Sequence, residues 1–159
     1  MFAVLSPAKK LKEPSRQLPV TLPDLETQIA ELAQVMRGQS AQQLSDLMGI
    51  SADLADLNHA RYQTFELPFT AQNATPAALT FAGDTYVGFD ASSLSDEDLE
   101  FAQGAVGILS GLYGLLRPLD LMQPYRLEMG TKLNVGTHKY LYQFWGDTIT
   151  HQVNDRLRG

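Results

Sequence analysis

No cysteine occurs among the 159 residues, which excludes a disulfide scaffold, a thiol nucleophile and any thiolate-held zinc or iron–sulfur site. Charge is sparse, 19% of residues against 44% hydrophobic, a balance that suits a globular chain and excludes a disordered or fibrous one. The net charge of −6 argues against a surface coated in lysine for nucleic acid. Apolar runs are short. Phe101–Leu116 is uncharged but contains Gln103, Ser110 and four glycines over 16 residues, below the roughly 20 needed to cross a bilayer. Met1–Leu5 is apolar, yet its basic residues follow instead of preceding it, so it does not read as a secretory signal. A soluble, cytoplasmic protein is expected. The sequence also has no H-E-x-x-H, phosphate-binding loop, G-x-G-x-x-G or serine nucleophile elbow.

What is present is unevenly charged. Residues 1–16 hold Lys9, Lys10, Lys12 and Arg16 against Glu13, while residues 17–100 hold Arg37 and Arg61 against 13 acids. The last 59 residues are again mildly basic. If the two ends meet, they form a local anion-binding surface. Phe2–Ser6 reads as a short buried strand closed by Pro7. Leu25, Ile29, Leu32 and Met36 define a helix ended by Gly38. Ser40 with Gln43 caps a second, and Ser51 a third whose face carries Leu54, Leu57 and Phe65. Around Gly83-Asp84 the alternation predicts a hairpin. Ser95 caps a helix with the stripe Leu99, Ala102, Val106 and Leu109, stopped by Gly111. Leu112–Leu116 reads as a central parallel strand, and a last helix spans about Lys139 to Leu157. Strands mixed with helices give an α/β fold, a mixed sheet with surrounding helices, in one domain over residues 1–159.

Four groups of residues invite chemistry. Gly111-x-x-Gly114 followed by Arg117-Pro118 has the outline of a helix-hairpin-helix, in which glycine lets the backbone approach a phosphate and the next helix presents its amides. A glycine-rich turn into a strand is the competing reading. Arg126 and Glu128 lie two apart, so in an extended segment both point to one side. They are an anion clamp with its orienting or acid–base carboxylate, or a structural ion pair. Ser6-Pro7-Ala8-Lys9 puts a hydroxyl and an ammonium where a strand ends, a common place for a site in α/β proteins. Asp147, His151 and Asp155 at i, i+4, i+8 are the weak metal candidates, with a solvated helix face as the alternative. No cofactor is expected.

Ser6–Lys9, Gly83–Gly88, the block Leu109–Gly130 and Leu141–Asp147 together resemble the bacterial peroxide-stress protein YaaA family over nearly the whole chain. The resemblance implies a distinctive α/β fold containing a helix-hairpin-helix, and a role in the hydrogen-peroxide response that limits free iron and oxidative DNA damage. It also implies binding of double-stranded DNA, which the few basic residues here would make weak, salt-sensitive and without sequence preference, through Gly111, Gly114, Arg117, Arg126, Lys9 and Lys10. No enzymatic activity comes with it. Ser6, Lys9, Arg126 and Glu128 gathered in one pocket would instead indicate a phosphorylated or nucleotide-like ligand, with Glu128 as the acid–base group. Family members are longer, so the domain is expected to be incomplete at its C-terminal side and this form to self-associate.

Overall fold

The computed structural model describes all 159 residues. Strand β1 (Ala3–Leu5) leads through a long loop to three helices, α1 (Glu26–Arg37), α2 (Ala41–Met48) and α3 (Ala52–Thr64). Their starts and stops are local in origin. Ser40 and Gln43 close a reciprocal capping box on α2, and Gly49 ends it in the left-handed region at φ 63°. The Ser51 hydroxyl accepts from the Leu54 amide to start α3. Ile29, Leu32, Ala33 and Met36 bury one side of α1. The buried side of α3 is Ala55, Asn58 and Tyr62; of the face the sequence suggests, Leu54 and Leu57 are exposed and Phe65, at the helix end, is buried.

Next come β2 (Thr75–Pro76) and two short helices, α4 (Ala77–Thr80) and α5 (Asp84–Phe89). The hairpin predicted at Gly83-Asp84 is replaced by this helical pair. Every residue from Ala77 to Phe81 is buried, so no face is left for alternation to mark, and Thr80 donates its hydroxyl to the Pro76 carbonyl to close the turn. Gly83, at φ 125°, makes the bend between the two helices.

Helix α6 (Asp96–Ala105) starts at the Ser95 cap as expected but does not run to Gly111. Val106–Ser110 is strand β3, with β4 (Gly114–Leu116) and β5 (Leu121–Met122) after it. β3 is the middle of a three-stranded mixed sheet, parallel to β1 and antiparallel to β4. A separate antiparallel pair joins β2 to β5. The glycines of the supposed helix-hairpin-helix therefore turn a β-hairpin, not a helical one. β4 is buried throughout, as expected for Leu112–Leu116, but it runs antiparallel at the sheet's edge instead of parallel at its centre. The last helix is two, α7 (Leu141–Trp145) and α8 (Thr148–Arg158), broken where Gly146 takes φ 47°. The mixed α/β class is as the sequence indicates.

Two faces stay open. β1 is not the buried strand expected, because Ala3 and Val4 are exposed and its outer edge has no partner. α8 buries no residue, and Leu157 on it is 59% exposed. An unpaired strand edge and, elsewhere, an uncovered helix face each favour association. The 159-residue chain is therefore expected to sediment with a concentration-dependent mass. A monomer at every concentration would show that these faces are adequately protected as they stand. No helix is long and apolar enough to cross a membrane.

Candidate functional site

The loop that leaves β1 and the extended segment 125–129 form the two walls of a cleft of about 250 Å³. Lys9 comes from the first wall, Arg126 and Glu128 from the second. The i, i+2 spacing behaves as an extended chain requires: Tyr125 and Leu127 are buried, while Arg126 and Glu128 are not. Lys9 Nζ lies 3.3 Å and Arg126 Nη2 3.5 Å from the same oxygen, Oε1 of Glu128. One carboxylate thus holds two cations from opposite ends of the chain. Lys9 and Glu128 are 67% and 51% exposed, so each pair contributes about 0.2–1 kcal/mol at most and is easily exchanged for another anion. The Arg126 Nε is buried and has no hydrogen-bond partner, an unmet donor in a charged group. Ser6 does not line the cleft, although it adjoins the wall at Pro7.

Buried tyrosines hold both walls. The Tyr86 hydroxyl donates to the Ser6 carbonyl at 2.6 Å, and the Tyr62 hydroxyl donates to the Arg126 carbonyl at 2.6 Å. Tyr125 shares a 2.6 Å hydrogen bond with Ser110 Oγ and meets Tyr113 edge-on at 5.1 Å. Phe81 stacks on Tyr86 at 5.3 Å, which carries the packing from α4 to α5 beneath the first wall. Burial pushes the phenols of Tyr62, Tyr86 and Tyr125 above their ordinary value, so they remain protonated donors near neutral pH. Tyr62 and Tyr86 carry no sequence signal for this role, because the carbonyls they meet are distant in the chain.

Gly111 and Gly114 serve the fold in a different way from that expected. All four residues from Gly111 to Gly114 are buried. The Gly111 carbonyl accepts from Trp145 Nε1 at 2.9 Å, and the Tyr113 amide donates to Ser110 Oγ at 3.1 Å. These two groups are engaged inward, and the turn packs against Trp145 instead of opening a helix toward solvent. Gly114 is at φ 77°, and a Cβ there would come within 3.0 Å of the Trp145 ring. Arg117 is likewise engaged. Its Nε donates to Asp120 Oδ1 at 3.0 Å, and its Nη2 donates to the Leu22 carbonyl at 2.7 Å and lies 3.3 Å from Asp24. Burial pushes the Asp120 carboxyl upward, while Arg117 and Thr21 pull it down by hydrogen bonding. Burial would lower the Arg117 guanidinium, but Asp120 carries it above its ordinary value.

Lys10 is exposed beside Lys9, its carbonyl accepting from the Ala82 amide at 2.9 Å. Asp147, His151 and Asp155 all lie on the exposed side of the last helix, with Asp155 3.6 Å from Arg158, and they form no cluster that could hold a metal ion.

A family model described as peroxide stress protein YaaA matches residues 1–158. A UPF0246 protein of Delftia acidovorans is 55% identical over 98% of this chain and 61% of its own length. Similar proteins of Idiomarina loihiensis and Ralstonia pickettii are each 54% identical over 99% of this chain and 62% of theirs. The chain spans about three fifths of the length of these curated relatives.

Proposed function

The chain belongs to the peroxide stress protein YaaA family, and from that premise we propose that it serves the peroxide response by binding a phosphoryl-bearing ligand in the Lys9–Arg126–Glu128 cleft. The observation that carries the reading is the convergence of Lys9 and Arg126 on one exposed carboxylate oxygen. Glu128 occupies the place of an anion, and a phosphoryl group with more acceptor oxygens displaces it. Arg126 Nη2, released from Glu128, then gains a better acceptor, because a guanidinium presents its donors as a planar fork suited to oxyanions. Limitation of free iron and of oxidative DNA damage is the cellular outcome that such binding would support.

A nucleotide-sized ligand and the backbone of duplex DNA present the same phosphoryl chemistry. The volume of about 250 Å³ favours the small ligand, since it is below the usual range for a drug-sized pocket and far below a duplex. Duplex binding without sequence preference would rest on Lys9, Lys10 and Arg126, and consecutive exposed lysines at the mouth support it as the second reading. With three cations, log K should fall with log salt at a slope no steeper than about −3.

Calorimetry with adenosine monophosphate, beside fluorescence anisotropy on scrambled duplexes, tests both. Lys9→Gln and Arg126→Gln are each expected to weaken mononucleotide binding about tenfold, the loss of one charge-assisted hydrogen bond. Glu128→Gln is expected to strengthen it. Tighter binding of the duplex than of the mononucleotide would select the second reading. No saturable binding of either at low salt would remove both.

A further inference from the structure

Beyond the Lys9 cleft, the same basic loop borders a second and more polar cavity of about 430 Å³, between residues 11–13, the end of α3 and the segment 71–75. Lys12 and Arg61 both line it, with Glu13 as its single acid. Neither cation has a carboxylate within ion-pair distance, unlike Arg117, Arg126 and Arg156 elsewhere in the molecule. Arg61 donates from Nη1 to the side-chain oxygen of buried Asn58 at 3.3 Å. Its remaining donors are free for a ligand. Lys12 is fixed in place by its amide, which donates to the Thr80 carbonyl at 2.8 Å. Thr75 and Thr80, joined hydroxyl to hydroxyl at 2.6 Å, add polar groups to the wall.

We propose that this cavity is a second anion-binding site, in which Arg61 and Lys12 hold an oxyanion of the phosphate class, separately from the Lys9–Arg126 cleft. The guanidinium supplies the fork and the lysine a movable point charge. Glu13 leaves the cavity one positive charge in excess. Desolvation by burial lowers the Arg61 pKa, so the charged form gains from an anion placed in the cavity.

The test is a titration of the full 159-residue chain with inorganic phosphate, followed by backbone amide NMR, against sodium chloride at matched ionic strength. Two independent groups of saturable shifts are expected, one at residues 8–9 and 126–129, the other at residues 12 and 72–75. Arg61→Gln and Lys12→Gln should each weaken the second group about tenfold and leave the first unchanged. Lys9→Gln should do the reverse. If Arg61→Gln unfolds by releasing Asn58, the exposed Lys12→Gln decides alone. Absence of saturable shifts at 72–75, or shifts there that Lys12→Gln leaves intact, overturns the proposal. Loss of only the first group would count against the Lys9 cleft and leave this site standing.

Discussion

Gly111→Ala should lower the melting temperature by about 10 °C and abolish binding in the Lys9–Arg126–Glu128 cleft. A Cβ at this position would stand against the Leu127 carbonyl oxygen, within 3.0 Å of the Leu127 carbonyl carbon and 3.1 Å of that of Glu128. These are backbone atoms, and no rotamer change can relieve the overlap. Overpacking of this kind costs about 3 kcal/mol, and a domain of this size loses about 2–4 °C per kcal/mol. What must move is the wall that presents Arg126 and Glu128, so the stability and binding losses share one cause. Differential scanning fluorimetry and a mononucleotide titration on the same sample check it. A variant with unchanged melting and affinity would show that β3–β4 and segment 125–129 are not packed as described.

The second large effect is expected at Asp120. Its side chain is 1% exposed and accepts from Thr21 Oγ1 at 2.6 Å, from the Arg117 amide at 2.7 Å and from the Arg117 guanidinium. Thr21 in turn accepts from Gln103 Nε2 at 2.8 Å, and Gln103 Oε1 accepts from the Leu119 amide at 2.8 Å. Asp120→Ala leaves a guanidinium and several donors without their acceptor. Breaking one side of a buried pair costs about 3–5 kcal/mol. Arg117 retains 21% exposure and its contact to Asp24, which reduces the expected loss to about 2–4 kcal/mol. Urea denaturation of Asp120→Ala, Arg117→Ala and the double variant should give a coupling of about 2 kcal/mol. Mononucleotide affinity should be unchanged in Arg117→Ala. A stable Arg117→Ala that binds more weakly would return Arg117 to the anion site.

Helix starts were legible because they are local. Ser40, Ser51 and Ser95 each accept from a backbone amide three residues on, so a short window of sequence contains the whole interaction. The strand Val106–Ser110 was not, because Leu99, Ala102, Val106 and Leu109 keep helical spacing across a real boundary at Ala105. What decides the matter is parallel pairing with Ala3–Leu5, about a hundred residues away. The break in residues 139–157 lies at Gly146, whose positive φ the apolar stripe does not reveal. At the site, the Arg126–Glu128 spacing pointed correctly to two side chains on one side of an extended segment. The addition of Lys9 and the bracing by Tyr62 and Tyr86 depend on long-range contacts to atoms that carry no sequence signal. Gly111, Gly114 and Arg117 fit a phosphate grip by type and spacing alone, and the same residue types suit a buried turn and a buried ion pair.

The cleft assignment is tested most directly at the Arg126 side chain. Its Nε–H can be followed by NMR on isotopically labelled protein while adenosine monophosphate is added, because the buried nitrogen has no acceptor in the free protein. A saturable shift of that proton is expected as a phosphoryl oxygen replaces Glu128 on the guanidinium, with the same dissociation constant as calorimetry and about tenfold weaker in Lys9→Gln. Binding that saturates by calorimetry while the Arg126 Nε–H resonance stays in place would contradict it.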